Sequence, residues 1–163
     1  MVERDLPTLV ADAVAAHLTV ATAESLTGGM VAATLVQAAG ASGMLLGGVI
    51  AYQNHIKTDI LGVDPARLLS HGAVDAQVAV QMAEGICRLT GARVGISTTG
   101  VAGPEPHGGK PVGNVYIGVA LDGAAQAYEY HFAGDRAHVR QQACDEALAL
   151  LDQVVAAARE QKL

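Results

Sequence analysis

One eight-residue stretch, Thr22-Ala23-Glu24-Ser25-Leu26-Thr27-Gly28-Gly29, constrains this chain more than any other. An apolar run, Leu18-Thr19-Val20-Ala21, leads into it, and a helical pattern, Met30 to Val36, leads out. A strand therefore stops in a short polar turn from which a helix starts. Parallel α/β sheets place their ligands there, outside the carboxyl ends of the strands. From Glu24 to Gly29 the turn holds a carboxylate, two hydroxyls and two glycines. The glycines allow close backbone approach, and the new helix offers unpaired N–H groups to an anion or oxyanion. The same residues also suit a plain structural role. Ser25 or Thr27 is a good N-cap, and Glu24 a good solvated turn residue. The stretch is neither a Walker loop nor a G-x-S-x-G elbow, so a catalytic role requires partners elsewhere in the chain.

Length and composition narrow the class. A chain of 163 residues suits one domain, expected to span 1–163, with a real core. Apolar residues make up 51% but aromatics only 3%, so the core is built from Ala, Val, Leu and Ile. A net charge of −6 argues against a broad nucleic-acid footprint. It leaves room for a small anionic substrate, because a few Lys or Arg hold one phosphate. Cys87 and Cys144 lie inside helical patterns and read as buried free thiols, with neither disulfide nor metal spacing. The N-terminal residues lack a signal-peptide pattern, and no apolar run reaches the roughly 18 residues of a membrane span. A cytoplasmic protein without membrane contact is the expectation.

Taken in order, Asp5-Leu6-Pro7 starts a first helix. The first strand is expected over 18–23 and the second helix over 28–39. A short strand follows at Val49-Ile50-Ala51-Tyr52, then a short helix from Asn54 to Leu61 that Gly62 ends. Asp64-Pro65 opens another short helix, closed by Gly72, and Asp75 caps a longer one that stops at Gly91. Val94 to Thr98 is a third strand. Residues 99–113 are too rich in Gly and Pro for helix or central strand, and a loop of that length is usually functional. Val115, Ile117, Val119 and Leu121 alternate as a strand, Asp122-Gly123 signals a hairpin, and 125–132 returns. Asp135 caps a long final helix. The order implies a three-layer α/β/α sandwich with a mixed, mostly parallel sheet and a late hairpin.

Polar groups gather at three predicted strand ends: Glu24-Ser25-Leu26-Thr27, Tyr52-Gln53-Asn54 with Lys57, and Thr99-Gly100 onward. A serine needs a base to become a nucleophile. None of the six histidines has an evident orienting carboxylate. Lys57 is the better base, provided partial burial and a neighbouring cation lower its pKa from the ordinary value of about 10.4. Ser–Lys pairs are a known variant of triad logic. Tyr52 lies at the same junction, where it relays a proton or orients a substrate. The plain alternatives are a solvated Lys57 and a Tyr52 that packs at a strand end.

Seven segments together carry a resemblance. They are Ala23 to Gly29, Gly47 to Tyr52 with Asn54 and Lys57, Leu61-Gly62-Val63, Gly72-Ala73-Val74, Thr99 to Pro104, Lys110 to Gly113, and Phe132 to Arg136. In register, they resemble the CinA C-terminal family over almost the whole chain. The resemblance implies the stand-alone form of the domain and hydrolysis of the carboxamide of nicotinamide mononucleotide (NMN), giving nicotinic acid mononucleotide and ammonia. It implies Ser25 as nucleophile, Lys57 and Tyr52 as proton-handling groups, and Thr99 as part of the site. Glu24, Thr27, Gly28, Asn54 and Gly100 are expected at the substrate, with Glu24 near the cationic ring or holding the turn. Amide attack needs donors aimed at an oxyanion, for which N–H groups near Thr27-Gly28 or Gly100-Val101 are candidates. Arg136 and Arg140, with Lys110, are candidates for the 5′-phosphate. No cofactor or metal is required, and no nucleic-acid partner is implied. A homo-oligomer is expected, since small single-domain enzymes often bury apolar surface at a symmetric interface. The sequence departs from the family pattern at Leu26, where Cys is frequent, at Gln53, and across 105–109. The alternative reading is a nucleotide-binding or regulatory module without catalysis. A role as a structural partner in DNA uptake is opposed by the acidic composition.

Overall fold

The computed structural model describes residues 5–161. Five strands form one sheet in the order β2-β1-β3-β4-β5. They are β1 (Val20–Glu24), β2 (Leu45–Ile50), β3 (Val94–Gly100), β4 (Asn114–Leu121) and β5 (Ala124–His131). β1 pairs in parallel with β2 and β3, while β3–β4 and β4–β5 are antiparallel, so β4 alone runs against the others. Six α-helices accompany the sheet among the described residues: α1 (Leu6–Ala15), α2 (Met30–Leu35), α3 (Asn54–Asp59), α4 (Pro65–His71), α5 (Ala76–Thr90) and α6 (Arg136–Glu160). The fold is the mixed, mostly parallel α/β/α sandwich with a late hairpin.

The period-two alternation of strand side chains builds two cores. Val20, Val94, Ile96, Val115 and Ile117 face α1, α2 and α6. Ala21 and Ala23 face the opposite way, toward Val78, Met82 and Ile86 of α5 and Leu68 of α4. On that second face the helix meets the sheet almost backbone to backbone. A Cβ on Gly95 would lie 2.2 Å from the Ala83 carbonyl oxygen, and one on Gly118 2.3 Å from that of Ala79. Ser97 fills the polar gap between them: its hydroxyl donates to the Ala79 carbonyl at 2.6 Å and accepts from the Gly118 N–H at 3.2 Å.

Capping follows the sequence signals at four helices. Asp5, Asp64, Asp75 and Asp135 each accept a backbone N–H in the first turn. Asp122 and Gly123 both take positive φ (48° and 90°), as a two-residue hairpin turn requires. Cys144 is buried and Cys87 half-buried, both free thiols. No helix among the described residues is long and apolar enough to cross a membrane.

Several boundaries differ from the sequence expectation. β3 continues through Thr99 and Gly100, which pair with Tyr116 and Val115 rather than belonging to the Gly- and Pro-rich loop. β1 starts two residues later and ends one later, so Glu24 belongs to the strand. β2 begins at Leu45 rather than Val49 and ends before Tyr52. Its Gly47-Gly48 pair resembles turn punctuation but is paired with Ala21 and Thr22 of β1. α2 is only six residues long, because Gly28 and Gly29 are left-handed and the helix cannot start before Met30.

The tight α5–sheet contact makes Gly118 sensitive to any added side chain. Gly118→Val is expected to destabilise the protein by about 2 kcal/mol or more, since the helix cannot retreat without uncovering Ser97. The denaturant midpoint should fall accordingly, and an unchanged midpoint would disprove the close-approach account.

Candidate active site

The parallel strands β1, β2 and β3 all end at the same edge of the sheet, and a cavity of about 490 Å³ opens there. That volume is in the range of small-molecule sites. Its walls come from the three polar segments singled out in the sequence: Ser25 and Leu26 after β1, Tyr52 to Asn54 and Lys57 after β2, and Thr99 to His107 at and after β3. Arg136 of α6 closes one side.

Lys57 is the most unusual group in this cavity. It lies on the inner face of α3 with only 1% of its surface exposed. Nζ donates to the Ala51 carbonyl at 2.7 Å, the Ser25 hydroxyl at 3.2 Å and the Tyr52 carbonyl at 3.5 Å. None of these acceptors is a carboxylate, so nothing anionic among them compensates the ammonium charge. Burial therefore lowers the pKa of Lys57 from 10.5 to about 8. The sequence expectation had shared this work between partial burial and a nearby cation. Burial is the cause, and it is nearly complete.

The turn before α2 is built differently from the simple capping alternative. Neither Ser25 nor Thr27 caps the helix; the N-cap is Gly29, which has no side chain to offer. Glu24 does the capping from the end of β1. Its carboxylate, 1% exposed, accepts the Val31 N–H at 2.9 Å, the Ala32 N–H at 3.2 Å and the Thr27 hydroxyl at 2.6 Å. Because Thr27 spends its proton on Glu24, the 2.7 Å contact between Thr27 and Thr98 hydroxyls has Thr98 as donor. Ser25 itself is tied by its N–H to the Thr98 carbonyl at 2.9 Å. The side chain of Ser25 is thus left free of any structural duty except its contact with Lys57.

Other expected site residues divide between the cavity and the framework behind it. Asn54, Thr99 and Gly100 line the cavity. The Thr99 hydroxyl donates to the Ala73 carbonyl at 2.8 Å, which joins β3 to the segment before α5. Glu24, Thr27, Gly28 and Arg140 are not among the cavity walls. Glu24 and Thr27 are sealed in the core, where a solvated turn carboxylate has no place. Arg140 donates to the Leu26 carbonyl at 2.8 Å and the Thr27 carbonyl at 3.3 Å, so its guanidinium is engaged with backbone. Arg136 instead reaches the cavity mouth, donating to the Gly103 carbonyl at 2.7 Å and the Tyr52 hydroxyl at 2.8 Å. Lys110 is not among the cavity walls.

The N–H groups expected to serve an oxyanion are partly taken. Gly28 donates to the Ser25 carbonyl at 3.1 Å, and Val101 to the Asn114 carbonyl at 2.9 Å. Leu26, the residue after the serine, lines the cavity, and its N–H has no hydrogen-bond partner among the described residues.

Sequence reasoning missed Glu105 and His107 as cavity residues. The apparent loop contains a small hairpin, with His107 and Lys110 exchanging both backbone hydrogen bonds around Gly108-Gly109. Both glycines have positive φ (57° and 75°), the conformation of a two-residue hairpin turn. The Gly-Gly pair was the available signal. Of the other loop histidines, His138 is exposed and pairs with its capping Asp135 at 2.8 Å, a carboxylate partner not evident in the sequence. Among the described residues, no group of three or more His, Cys, Asp and Glu is placed to hold a metal ion.

Comparison with known proteins adds a family to this geometry. Residues 4–155 match the family model described as the CinA C-terminal domain. A CinA-like protein of Anaeromyxobacter dehalogenans is 48% identical over 151 residues, covering 90% of this chain and 36% of that protein. A protein of Bacillus pumilus named for competence-damage inducibility is 46% identical over 125 residues, covering 77% of this chain and 30% of its own length. The chain thus spans about a third of the length of these curated relatives. Among solved structures, a CinA superfamily protein from Klebsiella pneumoniae superposes with a TM-score of 0.88 at 34% identity, covering 93% of this chain and 96% of that one. A competence/damage inducible protein from Agrobacterium tumefaciens gives 0.81 at 32% identity, covering 96% and 97%. With its fold and residues 4–155 matched, the chain belongs to the CinA C-terminal domain family.

Proposed function

We infer that this protein is a serine amidohydrolase that deamidates NMN. The observation that carries the reading is the 3.2 Å contact between the Ser25 hydroxyl and an almost fully buried Lys57 amine. A neutral amine has two N–H bonds and one lone pair. The Ala51 and Tyr52 carbonyls accept the two N–H groups, which leaves the lone pair facing Ser25. That arrangement makes Lys57 a base aimed at the serine proton.

The chemistry then runs through two half-reactions. Ser25 Oγ attacks the carboxamide carbon while Lys57 takes its proton, and the Leu26 N–H stabilises the oxyanion. The intermediate collapses, Lys57 returns the proton to the amide nitrogen, and ammonia leaves. Water, deprotonated by Lys57, then cleaves the acyl-serine ester to release nicotinic acid mononucleotide. Arg136 at the cavity mouth holds the 5′-phosphate. The Tyr52 hydroxyl accepts from Arg136 and keeps its own proton to donate, which supports a part in orienting that guanidinium beside the proton-handling role. Glu105, a cavity-lining carboxylate, suits the cationic pyridinium better than Glu24, which is buried against its own helix. Oligomerisation of the domain is part of the same proposal.

Four measurements test this reading. Ser25→Ala should lower ammonia release from NMN by about 10³-fold or more without changing the melting temperature. Saturable NMN binding with no turnover in the unaltered protein would instead make it a binding module. For the unaltered protein, kcat/KM should rise with pH and level off above about 8, as Lys57 loses its proton. The stability difference from Lys57→Met should follow the same group. Its pKa is lowered on folding from 10.5 to about 8, so the unfolded chain binds more protons between these values. Wild type should therefore gain stability relative to Lys57→Met as pH rises across that window, by on the order of 3 kcal/mol. A pH-independent difference would remove Lys57 as the base. Finally, Arg136→Gln should raise KM for NMN by about 10- to 100-fold with a smaller effect on kcat. An unchanged KM would place the phosphate elsewhere.

A further inference from the structure

Arg140 has a specific relation to the Ser25 turn that a phosphate ligand would not need. Its Nε donates to the Leu26 carbonyl at 2.8 Å and its Nη2 to the Thr27 carbonyl at 3.3 Å. The Thr27 carbonyl belongs to the same peptide group as the Gly28 N–H. That N–H donates to the Ser25 carbonyl at 3.1 Å. The Ser25 carbonyl in turn shares its peptide group with the Leu26 N–H, the donor without a protein partner at the cavity wall. Two peptide groups therefore connect a guanidinium on α6 to the residue after the serine.

The direction of this chain matters. A cation at a carbonyl oxygen draws electron density from the peptide and makes its N–H a better donor. The bond from Gly28 to Ser25 passes the effect to the next peptide, because hydrogen bonds in series polarise one another. Its last donor is the Leu26 N–H. The turn is also fixed from the other side by the Glu24 carboxylate, so the peptide planes have little freedom to turn away.

We propose that Arg140 is a positioning residue that aims and polarises the Leu26 N–H for the oxyanion, through the Thr27–Gly28 and Ser25–Leu26 peptides. This assignment rests on the amidohydrolase reading above. It separates the two arginines at the start of α6. Arg136 faces the substrate, whereas Arg140 acts from behind the turn.

The test compares NMN with its phosphate-free nucleoside, nicotinamide riboside, in the Arg140→Gln and Arg140→Lys variants. Arg140→Gln should lower kcat by about 10- to 100-fold on both substrates, with KM for NMN changed less than about 3-fold. Arg140→Lys keeps the charge but not the two-pronged fork, and should recover part of kcat. It also carries the test if Arg140→Gln fails to fold. The rate at which phenylmethanesulfonyl fluoride labels Ser25 gives a readout independent of NMN and should fall in parallel with kcat. A raised KM for NMN alone, with riboside turnover untouched, would return Arg140 to the phosphate and overturn the proposal. So would wild-type kcat and labelling rates in both variants. A wild-type protein that neither labels nor releases ammonia would refute the amidohydrolase reading itself, and the relay with it. Labelling without ammonia release in wild type would refute only the substrate, and the labelling rates of the variants would still decide the role of Arg140.

Discussion

A lysine amine sealed from water without a carboxylate beside it is costly, and the cavity is arranged around how that cost is met. Lys57 sits on a short helix at the end of β2, and its amine reaches back toward the carbonyls of Ala51 and Tyr52. Those carbonyls are directed by the end of the strand, not by side chains. Loss of the proton relieves the burial penalty, and the lowered pKa follows from that balance. The hydroxyl of Ser25 completes the shell. An amine and a hydroxyl thus meet where two adjacent parallel strands end.

The Ser25 turn is a second place where several elements converge on a few atoms. A buried carboxylate replaces the missing side-chain cap of α2, Thr98 of β3 supplies a hydroxyl, and α6 supplies a guanidinium. Leu26 and Arg140 are 114 residues apart in the chain. The turn is thus held in part by the last helix, so the site draws on the whole domain rather than on its first half.

Much of the architecture was legible because it is written in periodicity and punctuation. Four aspartate caps and the Asp122-Gly123 hairpin follow local rules of spacing. The proximity of Ser25 and Lys57 was also legible, since both lie just past the ends of parallel strands. What was hidden depended on distance in space. Glu24 caps a helix whose first donor is seven residues away, farther than any capping box reaches. Gly47 and Gly48 fall outside the expected second strand because the partner they pair with, at Ala21 and Thr22, is invisible from the local sequence. Arg136 and Arg140 occupy successive turns of one helix, and nothing in their spacing tells which meets a cavity and which meets a backbone. His107 and Glu105 were overlooked because a two-residue glycine hairpin was read as part of a formless loop.

The central contacts of the cavity are made to main-chain atoms. Ala51 and Tyr52 contribute carbonyls to Lys57, and Thr98 contributes its carbonyl to Ser25. The rim from Pro104 to His107 is instead a run of loop residues that leads into the small hairpin of His107 to Lys110. Replacing residues in that rim changes the shape a guest molecule meets while the inner pair keeps its footing. Divergence among relatives can therefore reshape what the cavity admits without disturbing the contact between Ser25 and Lys57.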